Sequence, residues 1–102
     1  MIKDLHSERV AALRTVRTYV TDAGDMACAL VAQDGFPALA VSRVDGKAGT
    51  LTLGCAYHPD HGEWWFVVLT PRDGVRAAWL VPTRQPLTAA NLVIEDMRRR
   101  MP

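Results

Sequence analysis

The segment from Thr50 to Pro82 constrains the fold of this chain more than any other. It reads as three strands separated by two short loops, H-P-D-H-G and P-R-D-G, whose proline and glycine suit four-residue hairpin turns. The middle strand, Trp64 to Leu69, is apolar on both faces, whereas a strand buried on one side alternates apolar and polar residues. The sequence therefore predicts that both faces of this strand are covered, by a helix, by another subunit or by a ligand.

An amphipathic helix is predicted before these strands. Ser7 is a candidate N-cap, and Gly24 can supply the left-handed residue that ends the helix near Asp22. The apolar positions recur at helical spacing and comprise Val10, Ala12, Leu13, Val16, Tyr19 and Val20. Three arginines share this helix, at positions 9, 14 and 17. They could form a phosphate-binding face, but we interpret them as a solvated helix surface.

A second amphipathic helix is predicted at the end of the sequence, beginning at Pro86 or Thr88. Its apolar stripe has steps of three and four residues and comprises Leu87, Ala90, Ile94, Met97 and Met101. We expect Ile94 and Met97 to belong to the core. The run Arg98 to Arg100 could bind an acidic partner, but charges at the negative end of a helix dipole stabilise the helix without one.

Between the first helix and Thr50, two further segments have strand character. Met26 to Ala32 is compatible with a helix or a strand, and we favour a strand that pairs with Phe36 to Val44. The order is then helix, an antiparallel meander of four or five strands, and helix. This order predicts a two-layer α+β fold in which residues 1–102 form a single domain.

The lengths of the two hairpin loops assign side chains to the two faces of the sheet. Four-residue loops pair His58 with Glu63 and Thr70 with Val75. One face then carries Leu53, Cys55, Tyr57, Trp64, Phe66, Val68, Ala77, Trp79 and Val81, and we assign it to the helices. The opposite face carries the residues predicted to bind a partner, which are Trp65, Val67, Leu69, Arg76 and Leu80. A one-residue bulge would exchange the two sets.

The residues with catalytic or metal-binding potential concentrate around the first hairpin loop. Cys55, His58, Asp60, His61 and Glu63 include zinc-ligand types, but Cys55 points away from His58 on the strand. We therefore predict no metal and no cofactor. The sequence contains no nucleophile, phosphate-loop or dinucleotide motif. The two cysteines, Cys28 and Cys55, are interpreted as buried free thiols, and the protein is predicted not to be an enzyme.

The overall composition excludes several classes of protein. The net charge is +1, and a nucleic-acid-binding domain usually has a larger basic excess. The N-terminal residues lack the apolar core of a signal peptide, and no apolar run is long enough to span a membrane. These features predict a cytoplasmic protein that binds neither nucleic acid nor membrane.

Three short motifs resemble a group of small, uncharacterised actinobacterial proteins that are often encoded beside helix-turn-helix regulators. They are E-R-V-A-A-L-R at Glu8 to Arg14, a G-x-P-x-L-x-V strand at Gly35 to Val41, and a W-W-F hairpin at Asp60 to Phe66. In this chain V-V-L and a complete P-R-D-G hairpin follow, where those proteins have more tryptophan. The resemblance implies no catalytic residue, and it suggests a regulator as a possible partner.

The combined expectation is a non-enzymatic protein-interaction domain that uses the second sheet face. The partner is a second copy of the chain in a homodimer, or another protein. The alternative is a domain that binds a small molecule or a metal, through the tryptophan-rich face or the His58/His61 loop.

Overall fold

The computed structural model describes residues 5–33, 35–47, 49–69 and 78–100. Within these ranges the elements are, in chain order, α1 (Leu5–Asp22), β1 (Met26–Gln33), β2 (Phe36–Arg43), β3 (Thr50–His58), β4 (Glu63–Val68), β5 (Ala78–Pro82) and α2 (Pro86–Arg99). The strands form one antiparallel sheet in the order β1-β2-β3-β4-β5. The predicted α+β fold is confirmed, with five strands, and Met26–Gln33 is a strand.

The α1 helix begins and ends close to the predicted residues. It starts at Leu5, so Ser7 lies inside the helix and is not its cap. It ends at Asp22, and Gly24 follows with a φ of 89°, the left-handed conformation that closes helices and that glycine adopts without steric cost. The next residue, Asp25, then leads directly into β1.

The α2 helix starts at Pro86, one of the two predicted positions. Its buried residues are Ala89, Ala90, Val93, Ile94 and Met97. The core positions predicted for Ile94 and Met97 are confirmed. Leu87 was expected in the same stripe but is 52% exposed, because the stripe centres on Val93 and Met97 and Leu87 lies at its margin. Met101 lies outside the described residues.

Both helices pack on the same face of the sheet. The α1 helix contacts β1, β2 and β3, while α2 contacts β2, β5 and α1. The core between the layers contains large apolar side chains from every part of the chain, including Leu13, Val16, Val20, Leu39, Val41, Leu51, Leu53, Phe66, Val93 and Met97. The two-layer arrangement leaves the other side of the sheet without a covering helix among the described residues. We call this side the open face.

The pairing of β3 with β4 follows the predicted register. His58 lies opposite Glu63 and Tyr57 opposite Trp64, so the H-P-D-H-G loop is a four-residue hairpin. Gly62 has a φ of 65° at its end, and its amide donates to the carbonyl of His58. Leu53, Cys55, Phe66 and Val68 accordingly face the helices, as predicted.

The pairing of β4 with β5 differs from the prediction. Val67 lies opposite Trp79 rather than Ala78, and the register shifts again before Trp65, which lies opposite Pro82. Leu80 and Val81 therefore oppose Phe66 alone, as in a β-bulge. The P-R-D-G loop lies outside the described residues.

The sheet opens where β2 and β3 diverge. Their pairs run from Ser42 opposite Thr50 to Leu39 opposite Leu53. Beyond Leu53, residues 54–58 of β3 pair with β4 on one side and with no described residue of β2 on the other. A gap therefore separates the first residues of β2 from the last residues of β3.

Candidate functional site

The open face presents a mostly apolar surface built from alternate residues of all five strands. Its central side chains alternate with the residues that face the helices and are Ala27, Ala29, Val31, Ala38, Ala40, Thr52, Val67 and Trp79. Of these, Ala38 and Val67 are buried within the chain, and the others are half-buried or exposed. Small alanine side chains on β1 and β2 make one half of this face flat, and two tryptophans make the other half bulky. Val31 is 40% exposed and Trp79 is 45% exposed, so the two edge strands offer apolar area to solvent.

Of the predicted partner-binding residues, Trp65, Val67 and Leu69 lie on the open face. Leu80 does not. It packs against the core and lines a groove with Leu92 and Val93 of α2. The assignment of Leu80 to the open face is wrong, because the bulge in β5 turns its side chain toward the helices. Arg76 lies outside the described residues.

Trp79 lies on the open face, opposite Val67, at the position predicted for Ala78. The shifted register brings its side chain to the open face, where it meets Trp65 with ring centroids 6.4 Å apart. The sequence assigned Trp79 to the helix-facing side. Two tryptophans thus share one face.

Two histidines complete an aromatic corner, which we define as His58, His61, Trp65 and Trp79. The His58 ring centroid lies 4.4 Å from that of His61, 4.9 Å from that of Trp65 and 4.3 Å from that of Trp79. His58 Nδ1 and Trp65 Nε1 are buried and form no hydrogen bond with the described residues. The His58/His61 loop and the tryptophan-rich face, predicted as separate possibilities, lie in contact with each other in this corner.

The side chains of this corner that could bind a metal ion are the two imidazoles, of His58 and His61. No group of three or more histidine, cysteine, aspartate or glutamate side chains is close enough to hold a metal ion in the described part of the chain. Structural zinc sites use four protein ligands and catalytic ones usually three. Cys55 lies on the helix-facing side of β3, as its position in the strand predicts, and is not available to this corner.

Leu69 covers the backbone of β3 at Gly54 on the open face. A β-carbon at Gly54 would lie 2.6 Å from Leu69 Cδ1, so glycine leaves the space that the leucine side chain fills. The Leu69 amide donates to the carbonyl of Thr52 at 2.7 Å. This close approach extends the apolar surface across the end of the β2–β3 gap.

Arg9 occupies a position that the sequence interpretation missed. Its guanidinium carbon lies 4.5 Å from the ring centroid of Trp64 and 5.2 Å from that of Phe36, on the helix side of the sheet. The expectation of a solvated face holds for Arg14, which is exposed, but Arg9 is half-buried. The signal was in the spacing, because Arg9 precedes Leu13 by four residues and so belongs to the apolar stripe.

Comparison with family models, with curated proteins and with solved structures gives no match in any of the three cases. The resemblance to small actinobacterial proteins therefore stays a prediction. The surfaces described above are therefore the basis for a proposed function.

Proposed function

We propose that this chain is a non-enzymatic protein-interaction domain that forms a two-fold dimer through its open face. The observation that carries the proposal is the placement of both helices on one side of an apolar sheet. Soluble monomers rarely leave a large contiguous apolar patch in water, and such patches usually mark interaction sites. Trp79 and Trp65 are of the residue type most enriched among the anchors of protein interfaces.

The charge distribution favours a second copy of the chain as the occupant. The central side chains of the open face, named above, carry no formal charge. The nearest charged residue on this face of β4 is Glu63, at the start of the strand, and Arg84 pairs with it at 3.0 Å. An uncharged centre with a charged rim can meet its own copy without repulsion between like charges. A strongly charged partner would find no complementary charge in the centre.

Val31→Glu is the substitution that tests this proposal most directly. Val31 is 40% exposed on the open face, so the substitution leaves the monomer core intact. In the dimer it would bury an unpaired charge, and we expect the dissociation constant to rise by about a hundredfold or more. Sedimentation equilibrium measures this change. Val67 is a poorer choice because it is only 4% exposed within the monomer.

Val44→Glu is the matched control. Val44 is 64% exposed in the turn after β2, outside the open face, and the same substitution there should leave the dimer unchanged. A wild-type protein that stays monomeric at millimolar concentration contradicts the proposal. So does a folded Val31→Glu variant with the dissociation constant of the wild type.

The aromatic corner supports the alternative function, a small-molecule or metal-binding domain. His58 Nδ1 and the donor Trp65 Nε1–H are buried without a hydrogen-bond partner among the described residues, so a ligand in this corner could accept a hydrogen bond from Trp65 and bond to His58. Thermal unfolding with and without a chelator separates the two functions. A chelator-dependent fall in Tm that disappears in the variant His58→Ala with His61→Ala would favour a metal. An interaction domain should show no such dependence.

A further inference from the structure

A cleft lies on the helix side of the sheet, between the start of α1, the second half of β3 and the start of β4. It has a volume of about 360 Å³ and is lined by Glu8, Arg9, Ala11, Ala12, Cys55, Trp64 and Thr83. A second space of about 400 Å³ shares Arg9, Cys55 and Trp64 with it, and extends past Phe36 and Tyr57. We call the two spaces together the Arg9 cleft. Each is within the size range of small-molecule sites.

The guanidinium of Arg9 has two aromatic neighbours in this cleft and forms no ion pair with the described residues. Its guanidinium carbon lies within 5.2 Å of the ring centroids of both Trp64 and Phe36. Arg9 Nε is buried without a hydrogen-bond partner among the described residues, and no described carboxylate forms an ion pair with Arg9. Contact with aromatic rings does not use the N–H donors of a guanidinium as hydrogen bonds to oxygen atoms would, so donors of Arg9 are left for a ligand.

The surroundings strengthen an interaction between Arg9 and an anion. The adjacent Cys55 is half-buried, and its burial raises the pKa of its thiol to about 12. Charge-assisted hydrogen bonds are stronger where water is excluded. A planar carboxylate matches the fork of guanidinium N–H groups with two parallel hydrogen bonds.

The residues that line the cleft indicate the chemistry of the part of the ligand that does not contact Arg9. The lining is mainly apolar and aromatic, with Phe36, Pro37, Tyr57 and Trp64 around the second space. Along the same space, residues 54–58 of β3 pair with β4 and have no described β2 partner, so this stretch borders the gap between β2 and β3. Glu8 adds a negative charge to the lining of the first space, which disfavours a dianion such as phosphate.

From these observations we infer that the Arg9 cleft binds a small aromatic monocarboxylate. The carboxylate accepts hydrogen bonds from the guanidinium of Arg9, and the ring lies against Tyr57, Trp64 and Pro37. The Arg9 end of the cleft lies between α1 and the sheet, whereas the second space is also lined by Gly54, Ala56 and Leu69 of the open face. The contact between the carboxylate and Arg9 therefore does not require the proposed dimer.

Phenylacetate is the probe that tests this inference. In two-dimensional 1H–15N spectra of the whole chain, it should shift the indole signal of Trp64 and backbone signals near Arg9 saturably, and it should raise Tm. Its neutral analogue phenylacetamide should bind at least tenfold more weakly, because the amide offers no charge to the arginine. Inorganic phosphate alone should not compete.

Arg9→Gln should weaken the binding of phenylacetate at least tenfold. Arg14→Gln is the matched control on the exposed side of the same helix and should bind as the wild type does. If Arg9→Gln fails to fold, the comparison of phenylacetate with phenylacetamide on the wild type decides the question. Equal affinity for acid and amide, shifts that map elsewhere, or unchanged binding by a folded Arg9→Gln variant would overturn the inference. Competition by phosphate at equal affinity would overturn the choice of a carboxylate.

Discussion

The thiol of Cys55 lies on the helix-facing side of β3, where it lines the Arg9 cleft. Burial raises its pKa to about 12, although the positive charge of Arg9 acts in the opposite direction. Burial also raises the pKa of Cys28 on β1. The thiolate is the nucleophilic form of cysteine, so neither residue is set up for covalent catalysis at neutral pH.

We therefore predict that Cys55 reacts slowly with a thiol reagent in the native protein. With a pKa of about 12, its thiolate fraction at pH 8 is on the order of a thousandfold lower than that of a free cysteine. The rate of reaction with a disulfide reagent, measured on a Cys28→Ser variant, should be lower by a similar factor. The same variant in denaturant is the control. Native Cys55 reacting as fast as the denatured thiol would contradict the prediction.

The positions of single side chains were the least predictable feature of the structure. Trp79 and Leu80 exchanged faces because a bulge changes the register without changing the alternation of residue types. The sequence predicts that Arg9 lies on a solvated surface, because arginine is usually exposed. Its spacing from Leu13 placed it in the stripe, but spacing alone does not show that Trp64 and Phe36 meet it there.

The helices and strands themselves were predictable because their apolar residues recur at characteristic periods. The spacing of buried residues in α2 and the placement of glycines after α1 and between the strands are local signals. Met26–Gln33 was the ambiguous segment, since a short run of small apolar residues suits a helix or a strand. Its pairing with β2 over eight residue pairs, a nonlocal interaction, selects the strand.

The packing of α2 predicts how much its side chains contribute to stability. Met97 is fully buried against the sheet and α1, so Met97→Ala should lower the free energy of unfolding by about 2–5 kcal/mol. Leu92→Ala, on the same helix but 39% exposed, should cost much less. Urea denaturation measures both changes. An equal loss of unfolding free energy in the two variants would mean that the burial of a side chain on α2 does not determine how much it stabilises the fold.

In the molecule as a whole, one ion pair connects two segments that are far apart in the sequence. Arg98 of α2 donates two hydrogen bonds to the carboxylate of Asp25, at 2.8 and 3.0 Å, just before β1 begins. The hydrogen bond from Arg98 is the main reason that the pKa of Asp25 lies below its ordinary value. The pair thereby connects α2 to the link between α1 and the sheet.

Because the pKa of Asp25 is lower in the folded state than in the unfolded state, the pair stabilises the fold above the unfolded value of about 4. That contribution is lost as the pH falls through the folded pKa. We predict that Asp25→Asn is less stable than the wild type at pH 7 and that the difference shrinks below pH 4. Urea denaturation at both pH values measures it. Arg98→Gln should behave in the same way, and Arg99→Gln should not. A difference that persists unchanged at pH 2 would contradict this origin.

The order of the strands has a consequence for how the chain acquires its structure during synthesis. Every strand pair joins neighbours in the sequence, so the sheet can form from local contacts, which favour rapid folding. The contact between α1 and α2 joins opposite ends of the described chain. The helix-facing side of β5, which α2 contacts, therefore stays uncovered in the nascent chain until α2 has been made. Release of a chain shortened before Pro86 would leave this apolar surface open and the chain prone to aggregation.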